Sequence, residues 1–344
     1  MSTPANPHLD LVLKIGQDCL SRVPVTVLGS GASLGYGVGG MGELQDHLVK
    51  EVKPQAGEDA VWQQFLEALT STKDLEKSLH LVRLTETLER KVVEATRCLI
   101  LRGDQEALQK IIASALATAH STLFRRLLNS THQTITVVTT NYDRLAEYAA
   151  DAAGIAHHTG FQGTYYRRFQ AGTLSGPAPR VSTHKQVEVL KVHGSLDWFG
   201  NESDDCVSVP DNATAPDGFS PLMVTPGTGK YQATHFDPFR SIITRSDSAF
   251  ASARSILSVG YGFRDRHIQP KLTRRVMDDG VPVVVLGRTL TDEARAFLKS
   301  CRHATALGLE QSGTGTKAYL PGYPDGVQID ESIWSFEDFL RIIF

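Results

Sequence analysis

Apolar positions divide the chain into stretches of different period. Residues Leu9 to Leu20 carry apolar side chains at helical spacing, and Val23 to Leu28 then forms a short continuous apolar run that ends in Gly29-Ser30-Gly31-Ala32-Ser33. This reads as a helix, a buried strand and a tight turn. From Glu43 to Asn129 glycine and proline almost vanish, apart from Pro54, Gly57 and Gly103, and apolar residues recur every three or four positions, as at Leu75, Leu79, Val82 and then Leu88, Val92, Val93. The pattern predicts an inserted module of four helices. Beta character returns at Thr134 to Thr139, a β-branched run that ends in Thr140-Asn141-Tyr142-Asp143 and passes into a helix over Leu145 to Ala153.

A third strand, Val187 to Val192, ends in His193-Gly194-Ser195, and Gly160 to Thr183 between the two reads as an extended loop or hairpin. Asn201 to Gly218 is polar and turn-rich, Pro221 to Thr225 reads as a short strand, and Pro226-Gly227-Thr228-Gly229-Lys230 as a loop. Beyond it lie a helix over Pro238 to Ala253, a strand over Ser255 to Val259, the turn Gly260-Tyr261-Gly262-Phe263, a helix over Ile268 to Asp278, the strand Val281 to Leu286 and a helix over Thr291 to Ser300. Strands that are apolar throughout and alternate with helices imply a parallel sheet covered on both faces. The expected fold is α/β: a Rossmann-like parallel sheet with helices on both faces and an all-helical insertion. Its parts are residues 1–37, with the first helix, strand and turn; 38–132, the helical module; 133–310, the rest of the sheet domain; and 311–344, a C-terminal loop and helix.

Composition narrows the function. Lys+Arg of 35 against Asp+Glu of 38 gives a net charge of −3, so no global field draws the chain to nucleic acid or an anionic membrane. Direct nucleic-acid binding is not expected. No apolar run reaches the roughly 20 residues a membrane helix needs, and Met1 to His8 lacks a signal-peptide layout, so the expected location is the cytoplasm. Cys19, Cys98, Cys206 and Cys301 lie far apart without a CxxC pair, and the histidines, His157-His158 and His184 among them, show no ligand spacing. No metal is expected.

Chemistry concentrates at strand ends. Ligands of parallel sheets bind outside the carboxyl ends of the strands, and four such ends carry unusual clusters: Gly29 to Ser33, Thr139 to Asp143, His193 to Ser195 and Gly260 to Phe263. In the first, Gly29, Ser30, Gly31, Ala32 and Ser33 would let backbone amides approach a pyrophosphate. The dehydrogenase fingerprint is not met, because the third glycine is displaced to Gly35 and no acidic strand end follows about 20 residues on.

In order and context the four clusters resemble the sirtuin superfamily. Thr139-Thr140-Asn141-Tyr142-Asp143 looks like its Thr-Gln-Asn-Ile-Asp and Val192-His193-Gly194-Ser195 like its Val-His-Gly-Ser. Gly260 to Ile268 is similar to the Gly-Tyr-Ser-Phe-x-Asp-x-x-Ile ending of a divergent bacterial branch, many of whose members deplete NAD in antiphage defence. The two CxxC pairs of the zinc-bearing deacylases are missing. The resemblance implies an NAD glycohydrolase that uses NAD as substrate, with Asn141 and His193 catalytic. Asn141 would orient the ribose and a water, and His193 would act as general base. Gly29, Ser30, Gly31, Ala32, Ser33, Thr140, Asp143, Gly194, Ser195, Gly260, Tyr261 and Gly262 would bind the dinucleotide. Asp143 also reads as a helix cap, and Arg264, Asp265, Thr228 and Lys230 stand outside this core set. The resemblance further implies a homo-oligomer and a partner such as a HerA-like ATPase or an Argonaute-like protein. Alternative readings are a protein deacylase, an ADP-ribosyltransferase and a non-catalytic NAD- or ADP-ribose-binding scaffold.

Overall fold

The computed structural model describes residues 7–114, 117–174, 185–210, 215–225, 236–301 and 305–344. The loop with Thr228 and Lys230, His184 and residues 175–183 of the expected hairpin lie outside the described residues.

Nine strands form the main sheet. In chain order they are β1 (Val25–Leu28), β2 (Thr134–Thr139), β3 (Ala156–His158), β6 (Gln186–Lys191), β10 (Ile256–Val259), β11 (Val283–Gly287), β12 (Ala306–Ser312), β13 (Gly315–Leu320) and β14 (Tyr323–Ile329). Across the sheet the order is β14-β13-β12-β11-β10-β1-β2-β6-β3. Every pairing from β12 to β3 is parallel, and only the β12–β13 and β13–β14 pairs are antiparallel. The fold is therefore the expected Rossmann-like α/β sheet.

Period-two alternation divides the strands between two faces. Ile135, Val137, Val187, Val189, Leu257, Val259, Val284 and Leu286 point into one core, shared with α1 (Pro7–Ser21), α6 (Ala119–Leu128), α7 (Leu145–Ala152) and α11 (Phe336–Ile343). Val25, Val27, Val138, Leu190, Val192, Ile256, Val283 and Val285 point into the other, shared with α8 (Phe239–Ser252), α9 (Gln269–Asp279) and α10 (Asp292–Ser300). The chain leaves β1 toward β2 and β6 on one side and later returns to β10 on the other. Its carboxyl end is therefore a topological switch point, the place where ligands of open parallel sheets bind.

Three expectations change. The insertion holds five helices: α2 (Met41–Glu51), α3 (Asp59–Thr72), α4 (Leu75–Leu81), α5 (Glu86–Ser114) and α6. The first four build their own core, with Leu44, Leu48, Trp62, Phe65 and Leu88, whereas Leu123, Phe124, Leu127 and Leu128 of α6 join the sheet core. An apolar helical face does not say which layer it will meet. Residues 311–344, expected as loop and helix, contain the whole β13–β14 hairpin; β14 is an edge strand with mostly exposed positions, which hides its strand character in the pattern. Last, His193-Gly194-Ser195 opens a further strand, β7 (Gly194–Gly200). It lies in a second, antiparallel sheet with β4 (Phe161–Gln162), β5 (Arg167–Phe169), β8 (Cys206–Ser208) and β9 (Ser220–Met223).

Candidate active site

Asn141 and His193 leave neighbouring strands at the same register. Thr139 pairs with Lys191, and each candidate follows two residues later, one on each strand. Both side chains are almost wholly buried, with 9% of each residue exposed. Asn141 is fixed by its own loop: its amide N–H donates to Thr139 Oγ1 (3.0 Å), and its side-chain Nδ2 donates to Gly29 O (2.9 Å) and Ser33 Oγ (3.1 Å). Because a carbonyl can only accept, these bonds identify Nδ2, and among the described residues Oδ1 of the amide accepts no hydrogen bond. The Asn141 loop is thus tied to the first glycine turn, as the ordered motifs require.

The first turn itself differs from an open phosphate cradle. The amides of Gly29, Gly31, Ala32 and Ser33 donate to the carbonyls of Val259, Gly260, Gly29 and Ser30. Small size here serves an interlock between two backbones. A Cβ on Gly29 would come within 2.6 Å of Tyr261 Cα, one on Gly31 within 2.7 Å of Gly260 Cα, and one on Gly260 within 2.5 Å of Gly31 Cα. Gly260 also has a φ of +59°, in the left-handed region. Gly262 is different, since a Cβ there meets only Thr291 Cγ2 at 3.5 Å. Ser30 remains exposed at the rim, and Ser33 is buried.

Asp143 stands just before the Arg144 N-cap of α7, with Oδ1 accepting from the Leu145 N–H at 3.1 Å. Burial pushes its carboxyl above the ordinary range, against the pull of Lys191, whose ammonium donates to the Asp143 carbonyl and lies 3.3 Å from Glu147. Thr140 donates its N–H to Leu28 O and is half-buried. Gly194 turns the chain at φ +88°, with no room for a Cβ against the Leu222 backbone. Ser195 is fully buried, and its hydroxyl donates to Asp197 Oδ1 at 2.6 Å, so its bond serves the second sheet. Burial would raise the Asp197 carboxyl, but Arg144 and Arg167 outweigh it and hold the group below its usual range.

The fourth turn brings two polar groups to the same place. His193 Nε2 lies 2.8 Å from Asp265 Oδ2, a contact that lies off the axis of a linear hydrogen bond. The Tyr261 hydroxyl is buried beside the Asp265 backbone without a hydrogen bond of ordinary geometry. Burial first, and the Asp265 charge second, push its ionisation up. Among the described residues the phenol lacks a well-aligned partner, so a polar ligand here would gain a hydrogen bond from it.

Two residues that the sequence reading set aside or missed now belong to the surroundings of the site. Asp265 was set aside, although its place five residues past Gly260 was visible. Asp104 gave no signal, because nothing in a helical pattern says which acid faces inward. In α5 it is 1% exposed and accepts from Arg144 N (2.6 Å), Arg144 Nε (3.2 Å), Arg144 Nη2 and Tyr148 OH (2.6 Å). It thereby pins the helical module to the segment that follows Asn141. The neighbouring Gly103 lets α5 lie against the Gly37–Val38 backbone, since a Cβ there would sit 2.9 Å from Val38 Cα. On the opposite rim, Arg264 bridges Asp74 of the loop before α4 (2.9 Å) and Glu293 of α10 (3.0 Å). Among the described residues, no group of three or more His, Cys, Asp or Glu is arranged to hold a metal ion, and no helix is long and apolar enough to cross a membrane.

The SIR2-like domain family matches residues 135–302, a span that contains three of the four strand-end clusters but not the Gly29 turn. That match agrees, over its span, with the sirtuin-like resemblance expected from the motifs. No curated protein matches the chain. Among solved structures it is similar to a mutant Sir2 homologue in complex with ADP-ribose, at 12% identity over 96% of this chain and 95% of that one, with a TM-score of 0.46. It is also similar to Sir2Tm bound to a propionylated peptide, at 14% identity over 81% and 88% with a TM-score of 0.41. A third is Sir2 with a p53 peptide and NAD+, at 13% over 85% and 89% with a TM-score of 0.40.

Proposed function

We propose that this sirtuin-like chain binds NAD across the carboxyl ends of β10, β1, β2 and β6 and hydrolyses the bond between nicotinamide and ribose. The observation that carries the reading is the shared register of Asn141 and His193 beside the first glycine turn, with the Asn141 amide bonded to that turn. Nicotinamide leaves as a neutral molecule that takes the bonding electron pair on its ring nitrogen. A water oxygen bonds to the ribose carbon and gives up a proton. The protein must therefore orient the sugar, shield an oxocarbenium-like centre and accept one proton. Asn141 Oδ1 supplies a non-titrating acceptor for orientation, and His193 supplies the base. Tyr261 and Ser30 are polar groups for the ligand, whereas Asp143, Gly194 and Ser195 act through the shape of their loops.

The test is nicotinamide and ADP-ribose release from NAD, measured by chromatography for the full chain, Asn141→Ala and His193→Ala, with circular dichroism as a check on folding. Loss of release in both folded variants is expected. Turnover equal to the parent's in either one refutes its role, and release only in the presence of an acylated peptide selects deacylation instead. Unrestrained NAD loss would harm the host cell, so we also propose that assembly into a homo-oligomer, or a partner such as a HerA-like ATPase, gates the activity in antiphage defence. Full turnover by the isolated chain at every concentration would refute the gating.

A further inference from the structure

We infer that Asp265 is a positioning residue that fixes the tautomer of His193, so that Nδ1 is the ring nitrogen able to take a proton. The two side chains are 2.8 Å apart, His193 11% and Asp265 4% exposed, in a site where water competes little for either. Asp265 Oδ1 accepts the backbone N–H groups of His267 (2.8 Å) and Ile268 (3.0 Å). Those bonds stabilise the carboxylate and stop the group from rotating, which leaves Oδ2 facing the imidazole.

An ionised carboxylate can only accept. If Nε2 carried its lone pair, two acceptors would meet at 2.8 Å and repel, so in the neutral ring the proton sits on Nε2 even though the approach is off-axis. The other nitrogen then holds the lone pair. Because β10 delivers Asp265 and β6 delivers His193, the base depends on strands that lie on opposite sides of β1. Any displacement of the Gly260 turn from the Gly29 turn would move the carboxylate off the ring.

Asp265→Asn separates this role from the helix cap. Its Oδ1 still accepts from His267 and Ile268, while an NH2 donor replaces Oδ2. The lone pair of Nε2 then turns toward that donor, and the proton moves to Nδ1. Nitrogen NMR of the His193 ring should show Nε2–H in the parent and Nδ1–H in Asp265→Asn, with the urea midpoint little changed. The kinetic consequence rests on the nicotinamide-release reading: kcat should fall on the order of 10²–10⁴-fold with KM nearly constant. A parent ring protonated on Nδ1, or a variant that keeps Nε2–H, overturns the inference. A shifted tautomer with unchanged kcat overturns the role in turnover. If the parent releases no nicotinamide, the proposed function fails while the NMR result still decides the tautomer. If Asp265→Asn does not fold, the parent spectrum alone decides it.

Discussion

Gly260→Ala is the sharpest test of the interlocked turns. The added methyl would collide with backbone, at 2.5 Å from Gly31 Cα and closer still to Gly31 C and Ala32 N, so no rotamer change can relieve it. The φ of +59° adds a second cost, since a non-glycine residue in the left-handed region loses about 1–2 kcal/mol. Overpacking a rigid contact adds about 1–3 kcal/mol. The expected destabilisation is therefore about 2–5 kcal/mol, large for a single methyl. Gly262→Ala is the matched control. It lies two residues away, its φ is outside the positive range and its Cβ meets only a methyl at 3.5 Å, so a change below about 1 kcal/mol is expected. Urea unfolding followed by circular dichroism measures both, with the m-value checking that the transition is unaltered. A Gly260→Ala midpoint indistinguishable from that of Gly262→Ala would refute the claim that the two turns are packed backbone to backbone.

Asp104→Ala should cost about 3–5 kcal/mol in the same assay, because it removes the buried carboxylate that the Arg144 guanidinium and the Tyr148 hydroxyl share; a loss under about 1 kcal/mol would mean that water replaces the carboxylate. Arg264→Ala, which breaks two half-exposed ion pairs, should change stability by no more than about 1 kcal/mol, and a larger loss would show that the bridge holds the helical module down. His120 gives a pH signature. Fully buried between Tyr36 and Phe336, with neither ring nitrogen hydrogen-bonded among the described residues, it has its pKa lowered by burial from 6.5 to about 4. Below 6.5 the unfolded chain takes up a proton that the folded core refuses. Stability should therefore be complete above that pH and decline as pH falls toward 4, by roughly 3 kcal/mol, and His120→Phe should flatten this part of the profile. Parallel profiles for the two proteins would show that the ring is not buried neutral.

The sequence alone determined the parallel α/β sheet and the positions of its chemical clusters. The β-branched run Thr134 to Thr139 and the continuous apolar run Val281 to Leu286 read as strands of a covered sheet, and turn residues mark where each run must stop. Asn141 and His193 were legible because each follows such a run directly, and strand ends converge in a parallel sheet. What the linear pattern omits is which surfaces meet. Gly29, Gly31 and Gly260 look alike whether they face a phosphate or one another, and only the pairing of β1 with β10 puts them in contact. Asp104 and Asp265 are separated by far in sequence from Arg144 and His193, and a helix or loop carries no mark of its distant partner. The edge strand β14 escaped because exposed positions break the apolar continuity that sequence patterns register, and β7 and β8 of the second sheet because they bury polar residues such as Ser195, Asp197 and Ser208. Local periodicity is fixed by backbone geometry within a few residues, whereas the site is made by contacts that exist only once the sheet has ordered its strands.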